Sequence, residues 1–169
     1  MSTRCQTKVI DGQKESIDIH NEDITLYHHS NGCPKWMVPL FFRAYRYGIT
    51  PFVPDWNKDN PKAEPTDVYK WQTFRAGYAA SMLCHIDPRG FQLENSHQLH
   101  VDIAWYYKLY IFGKKVKGQK QSQWEIEIYK ATIRRVGAPS LKKVLKRTPL
   151  CDVVDDDGKL KADISAKMI

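Results

Sequence analysis

Apolar and polar positions alternate most persistently in HQLHVDIAWYYKLYIF, where Leu99, Val101, Ile103, Trp105, Tyr107, Leu109 and Ile111 fall on one side. Alternation sustained over that length predicts a half-buried strand. QWEIEIYKATI answers it, with Trp124, Ile126 and Ile128 set against Glu125, Glu127 and Tyr129. The two runs predict a hairpin, and its tip is FGKKVKGQKQSQ. Earlier in the chain, Ile17 and Ile19, then Ile24 and Leu26, flank polar Asn21-Glu22 and predict another hairpin. KWMVPLFFRAYRY alternates as well, with Trp36, Val38, Leu40 and Phe42 on one face, and reads as a strand. Pro39 removes a ladder donor there, which places that strand at an edge or a bulge.

The period changes in TDVYKWQTFRAGYAASMLCHIDP. Thr66 is placed to cap a helix, and Val68, Trp71, Tyr78, Met82 and Ile86 form its stripe until Asp87-Pro88 ends it. SLKKVLKRTP reads as a short basic helix, with Leu141, Val144 and Leu145 inward and its lysines outward. VVDDDGKLKADI predicts a tail hairpin turning at Asp157-Gly158. Between these elements lies a proline-rich loop, 49–65, with no period. The fold class expected is α+β: a single domain with an antiparallel β-sheet packed on one long helix and a short basic C-terminal helix. Residues 1–15 read as a flexible N-terminus and 16–169 as the globular domain.

Composition supports a core, since 42% of the 169 residues are hydrophobic and 12% aromatic. The four cysteines form no CxxC pair, and MSTRCQTKV has no apolar signal region, so reduced thiols in a cytosolic or nuclear setting are expected. No apolar window reaches the roughly 20 residues that cross a bilayer.

Charge alters the picture more than composition does. The chain's formal +7 is exceeded by 113–147 alone, where eleven Lys and Arg meet only Glu125 and Glu127. An exposed lysine run by itself is an ordinary solvated surface. This one recurs on three successive elements: Lys114, Lys115, Lys117 and Lys120 on the hairpin tip, Arg134 and Arg135 past the second strand, and Lys142, Lys143, Lys146 and Arg147 beyond. Such a footprint suits RNA, DNA or an anionic membrane surface, with phosphate contacts and no base discrimination. Tyr106, Tyr110 and Tyr129 face away from the apolar stripe and are candidates for base stacking. KKVK and LKKVLKR also match nuclear import signals.

Chemistry of other kinds finds little support. His97 and His100 fall on opposite faces of a strand, and His28, His29 and Cys33 lack a fourth ligand, so no metal site is expected. DDDGKLKADI fails as a calcium loop, because Val153 and Ile164 stand where acids are needed. There is no glycine-rich phosphate loop and no GxSxG, and Ser96-His97 near Asp102 lacks triad geometry. No catalytic residue, cofactor or small-molecule substrate is expected.

KWMVPLFFRAYRYG, the helix from Thr66 to Ile86 and the late strands, in this order over Ile17–Ile164, resemble the matrix proteins of rhabdoviruses, the short cytorhabdovirus-like ones of plants most of all. The resemblance implies a virion protein of the host cytoplasm that self-associates, condenses the ribonucleoprotein and contacts the anionic inner leaflet. PPxY and PTAP are absent, which puts recruitment of budding machinery by those motifs in doubt. For self-association the sequence offers PFVPDW, through Phe52, Val53, Pro54 and Trp56, and the acidic Asp155, Asp156 and Asp157 against a neighbour's basic surface. The competing expectation is a monomeric, sequence-nonspecific RNA-binding module such as a silencing suppressor.

Overall fold

The computed structural model describes residues 3–11, 23–49, 76–94, 98–115, 122–134 and 137–168. Six strands form one sheet: β1 (Cys5–Asp11), β2 (Ile24–His28), β3 (Phe91–Glu94), β4 (Trp105–Lys115), β5 (Ser122–Thr132) and β6 (Ser140–Pro149). Their order across the sheet is β3-β2-β1-β4-β5-β6. The hairpin of β4 and β5 pairs antiparallel as expected, with Tyr107 opposite Ile128 and Lys115 opposite Ser122.

The N-terminal segment expected to be flexible is instead the sheet's inner strand. Cys5, Thr7 and Val9 alternate with Gln6 and Lys8, and the first three are fully buried. β1 joins β2 antiparallel and β4 in parallel, so the sheet is mixed rather than antiparallel. A parallel partner far along the sequence is invisible to a search for hairpins.

KWMVPLFFRAYRY is a helix, α1 (Pro34–Ile49), not a strand. Met37, Val38, Phe41, Ala44 and Tyr45 are buried at three- and four-residue spacing, whereas Trp36 is 58% exposed. Pro34 opens the helix, where its missing N–H costs nothing, and the Cys33 carbonyl accepts from the amides of Trp36 and Met37. Pro39 stands inside the helix, where it forfeits the backbone bond to the Lys35 carbonyl. Gly32 lets this connection lie against β1, since a Cβ there would stand 2.7 Å from the Cys5 amide nitrogen.

Of the long helix expected from Thr66, the stretch α2 (Ala76–Ile86) is described, and 66–75 lie outside the described residues. Ala76, Ala79, Ala80 and Leu83 form its buried side. The three alanines keep that side small enough for close packing. Two short helices follow, α3 (Leu150–Val153) and α4 (Ala162–Ala166), around a Val154–Leu160 antiparallel bridge that closes the tail turn at Asp155–Gly158.

The basic C-terminal helix expected over SLKKVLKRTP is strand β6. Its apolar residues recur every four positions, which suits a helix. Two register shifts against β5 reconcile that recurrence with a strand: Ile126 faces Thr148, Ile128 faces Leu145 and Tyr129 faces Lys143, so β6 holds one extra residue at each step. The helices and one sheet face enclose the main core, including Trp124, Tyr107, Phe41, Leu26 and Ile126. Burying each large apolar side chain of this kind contributes about 2 kcal/mol.

Candidate nucleic-acid interface

The sheet's second face is closed over one half. β4 begins at Trp105 rather than near His97, because the segment Gln98–Ala104 turns across this face. Gln6 Nε2 donates to the Gln98 carbonyl at 2.9 Å and the His100 amide donates to Gln6 Oε1 at 3.2 Å. His100 also meets Glu94 at 3.1 Å and lies against the Tyr27 ring, whose hydroxyl donates to Asp102. Arg4 pairs with Asp102 as well. Leu99 and Ile103 pack with Tyr27 and Tyr106 beneath these bonds, while Val101 stays exposed.

Over the other half no described element lies on the strands, and alternation sets out three short rows. β4 contributes Tyr106, Lys108 and Tyr110; β5 contributes Tyr129, Glu127 and Glu125 directly opposite them. From β6, the two bulges bring Lys143 and Arg147 to the same side. Tyr106 is nearly buried against Tyr129, with ring centroids 5.8 Å apart, so it forms the floor.

Glu127 sits at the centre of this array, with its side chain only 9% exposed. Its carboxylate accepts from Tyr129 at 2.6 Å, Lys143 at 2.7 Å and Tyr110 at 3.0 Å. Burial alone would raise its pKa, but the hydrogen bonds from Lys143, Tyr129 and Tyr110 and the Lys143 charge outweigh it, and the group lies below the ordinary carboxylate value. Burial, then the bond to Glu127, pushes the Tyr110 hydroxyl up to about 12, so it stays a donor. Hydrogen bonding to Glu127 raises Lys143 in turn.

The cations here lie over rings. Lys143 Nζ is 5.3 Å and Lys108 Nζ 5.7 Å from the Tyr129 centroid, and the Arg147 guanidinium carbon is 4.1 Å from that of Tyr110. Arg147 Nε donates to Glu125 at 2.5 Å. Each of these groups lies beside an aromatic surface.

The basic residues marked in the sequence therefore do not all share a face. Lys143 and Arg147 join the open face. Lys142 stands opposite Lys130, whose Nζ lies 5.9 Å over Trp105 on the helix-backed side. Lys146 is exposed within a bulge, and Arg134 is exposed just past β5. The backbone of Lys114 and Lys115 closes the β4 end of the hairpin, while Lys117, Lys120 and Arg135 lie outside the described residues. So do Phe52, Val53, Pro54 and Trp56. Asp155, Asp156 and Asp157 are exposed in the tail turn, where Asp155 Oδ1 accepts from the Lys159 amide at 2.8 Å.

Two participants were missed. Lys108 reads in the sequence as a break in an apolar run, although its spacing of two from Tyr106 and Tyr110 already aligns all three. Glu127 reads as an ordinary polar position, and only the fold surrounds it with donors. Among the described residues no group of three or more His, Cys, Asp and Glu is placed to hold a metal ion, and no helix is long and apolar enough to cross a membrane.

Fold and face together define a helix-backed six-stranded sheet with an open aromatic and basic surface. Comparison of the chain with protein-family models, with curated proteins and with solved structures finds no match in any of the three.

Proposed function

We propose that this chain is a non-enzymatic structural protein of the matrix type, which binds the RNA of a ribonucleoprotein through the open face of β4–β6. The observation that carries this reading is the interleaving of Lys108, Lys143 and Arg147 with Tyr110 and Tyr129 on that face. Its setting is favourable, since β4, β5 and β6 together hold eight basic residues against two acidic ones. Lysines that meet phosphates release counterions and give affinity without reading sequence. Self-association and contact with an anionic inner leaflet complete the matrix role, in the virion and the host cytoplasm.

The test replaces Lys108, Lys143 and Arg147 by Gln and follows RNA affinity across a salt series. Each lost phosphate contact flattens the slope of log affinity against log salt by about 1. Wild-type protein that fails to hold RNA at low salt, or a triple variant with an unchanged slope, defeats the reading. Protein that binds RNA yet stays monomeric at every salt concentration is instead a simple RNA-binding module.

A further inference from the structure

Resting on that reading, we infer that the open face takes single-stranded RNA, with a base stacked on the Arg147–Tyr110 pair and the flanking phosphates on Lys108 and Lys143. Arg147 is held from two sides. Its Nε donates to Glu125, its guanidinium lies 4.1 Å from the Tyr110 centroid, and its side chain is still 42% exposed. Glu125 and Tyr110 are direct cross-strand partners, so both supports of the guanidinium come from one rung of the ladder. The rung is braced by the Tyr110 hydroxyl bond to Glu127.

A guanidinium held 4.1 Å over a ring centroid extends the aromatic surface outward and adds charge to it. Bases stack on such planes, and they do so only when unpaired, because duplex RNA buries its base faces within the helix. Lysines near the Tyr129 ring offer point charges at the side of this platform, which suit the phosphates on either side of a stacked base. A lipid headgroup or an inorganic polyphosphate uses the charges and leaves the platform idle. The platform is what turns a general anion surface into one that prefers unpaired RNA.

The experiment titrates the full chain with a fluorescent oligoadenylate, the same strand paired with oligouridylate, inorganic polyphosphate, and vesicles containing phosphatidylserine. Arg147→Lys keeps the charge and removes the plane; Tyr110→Leu removes the ring; Tyr110→Phe keeps the ring and removes only the hydroxyl bond to Glu127. The expected result is preference for the single strand over the duplex. Arg147→Lys and Tyr110→Leu should each lower single-strand affinity about tenfold, with the salt slope, duplex binding and polyphosphate binding little changed, and Tyr110→Phe should fall between Tyr110→Leu and wild type. Equal binding of single strand, duplex and polyphosphate, with Arg147→Lys indistinguishable from wild type, overturns the platform and leaves RNA binding standing. Binding to vesicles with none to either RNA overturns the platform and the RNA reading together.

Discussion

Glu127 is the residue on which the open face is organised. Two tyrosine hydroxyls and one lysine converge on a carboxylate that burial alone would penalise. Because its pKa is depressed in the folded chain, its contribution to stability is complete above its unfolded pKa and is lost as pH falls through the folded one. Glu127→Gln keeps an acceptor for one hydroxyl but loses the charge that draws Lys143. The variant should therefore be less stable than wild type by about 1 kcal/mol near neutral pH. The gap should close as pH drops below the ordinary carboxylate range. Urea unfolding of both proteins over that range measures the difference; a gap that holds constant, or widens, in acid contradicts the assignment.

At the scale of elements, legibility followed the range of the contacts involved. The β4–β5 hairpin was legible because both strands alternate and lie near each other in sequence. The tail turn at Asp155–Gly158 was legible from its own residues. The strands β1 and β6 and the helix α1 were not. α1 contains an alternating run and a three-to-four spacing at once, and only the burial of Met37, Phe41, Ala44 and Tyr45 decides between them. β6 has a helical recurrence that two bulges absorb, and bulges leave no local signal. β1 is short, and its place comes from a parallel pairing with a strand about a hundred residues away. The candidate face divides in the same way. Its tyrosines were legible from alternation within β4 and β5, whereas the arrival of Lys143 and Arg147 depended on the bulges. β1 also makes the strongest prediction at this scale, because it alone joins β2 and β3 to the rest of the sheet. Deleting residues 1–11 should abolish cooperative unfolding and leave aggregated chain, as seen by circular dichroism and size-exclusion chromatography. A soluble fragment with a sharp thermal transition would return the segment to the status of a dispensable terminus.

For the molecule as a whole, the proposed self-association has to overcome a formal charge of +7. Like-charged protomers repel, so contact needs either an anion between them or an acidic surface on one side. The tail supplies such a surface: Asp152, Asp155, Asp156 and Asp157 are all exposed, and their one ion pair among the described residues, Asp157 with Lys159, is 3.2 Å long between side chains each 74% exposed. Pairs that open to solvent contribute little and exchange readily. In the proposed assembly the acidic turn of one protomer meets the basic β6 edge of the next, and such a head-to-tail contact would build rings or open polymers rather than two-fold dimers. Light scattering of RNA-free protein across a salt series tests this. Polymers should form at low salt and dissolve as salt rises, and Asp155→Asn, Asp156→Asn and Asp157→Asn combined should prevent them. If the triple variant polymerises as wild type does while Trp56→Ala does not, the contact belongs to PFVPDW; if polymers appear only when RNA is added, the nucleic acid is the bridge and the acidic turn has no part in assembly.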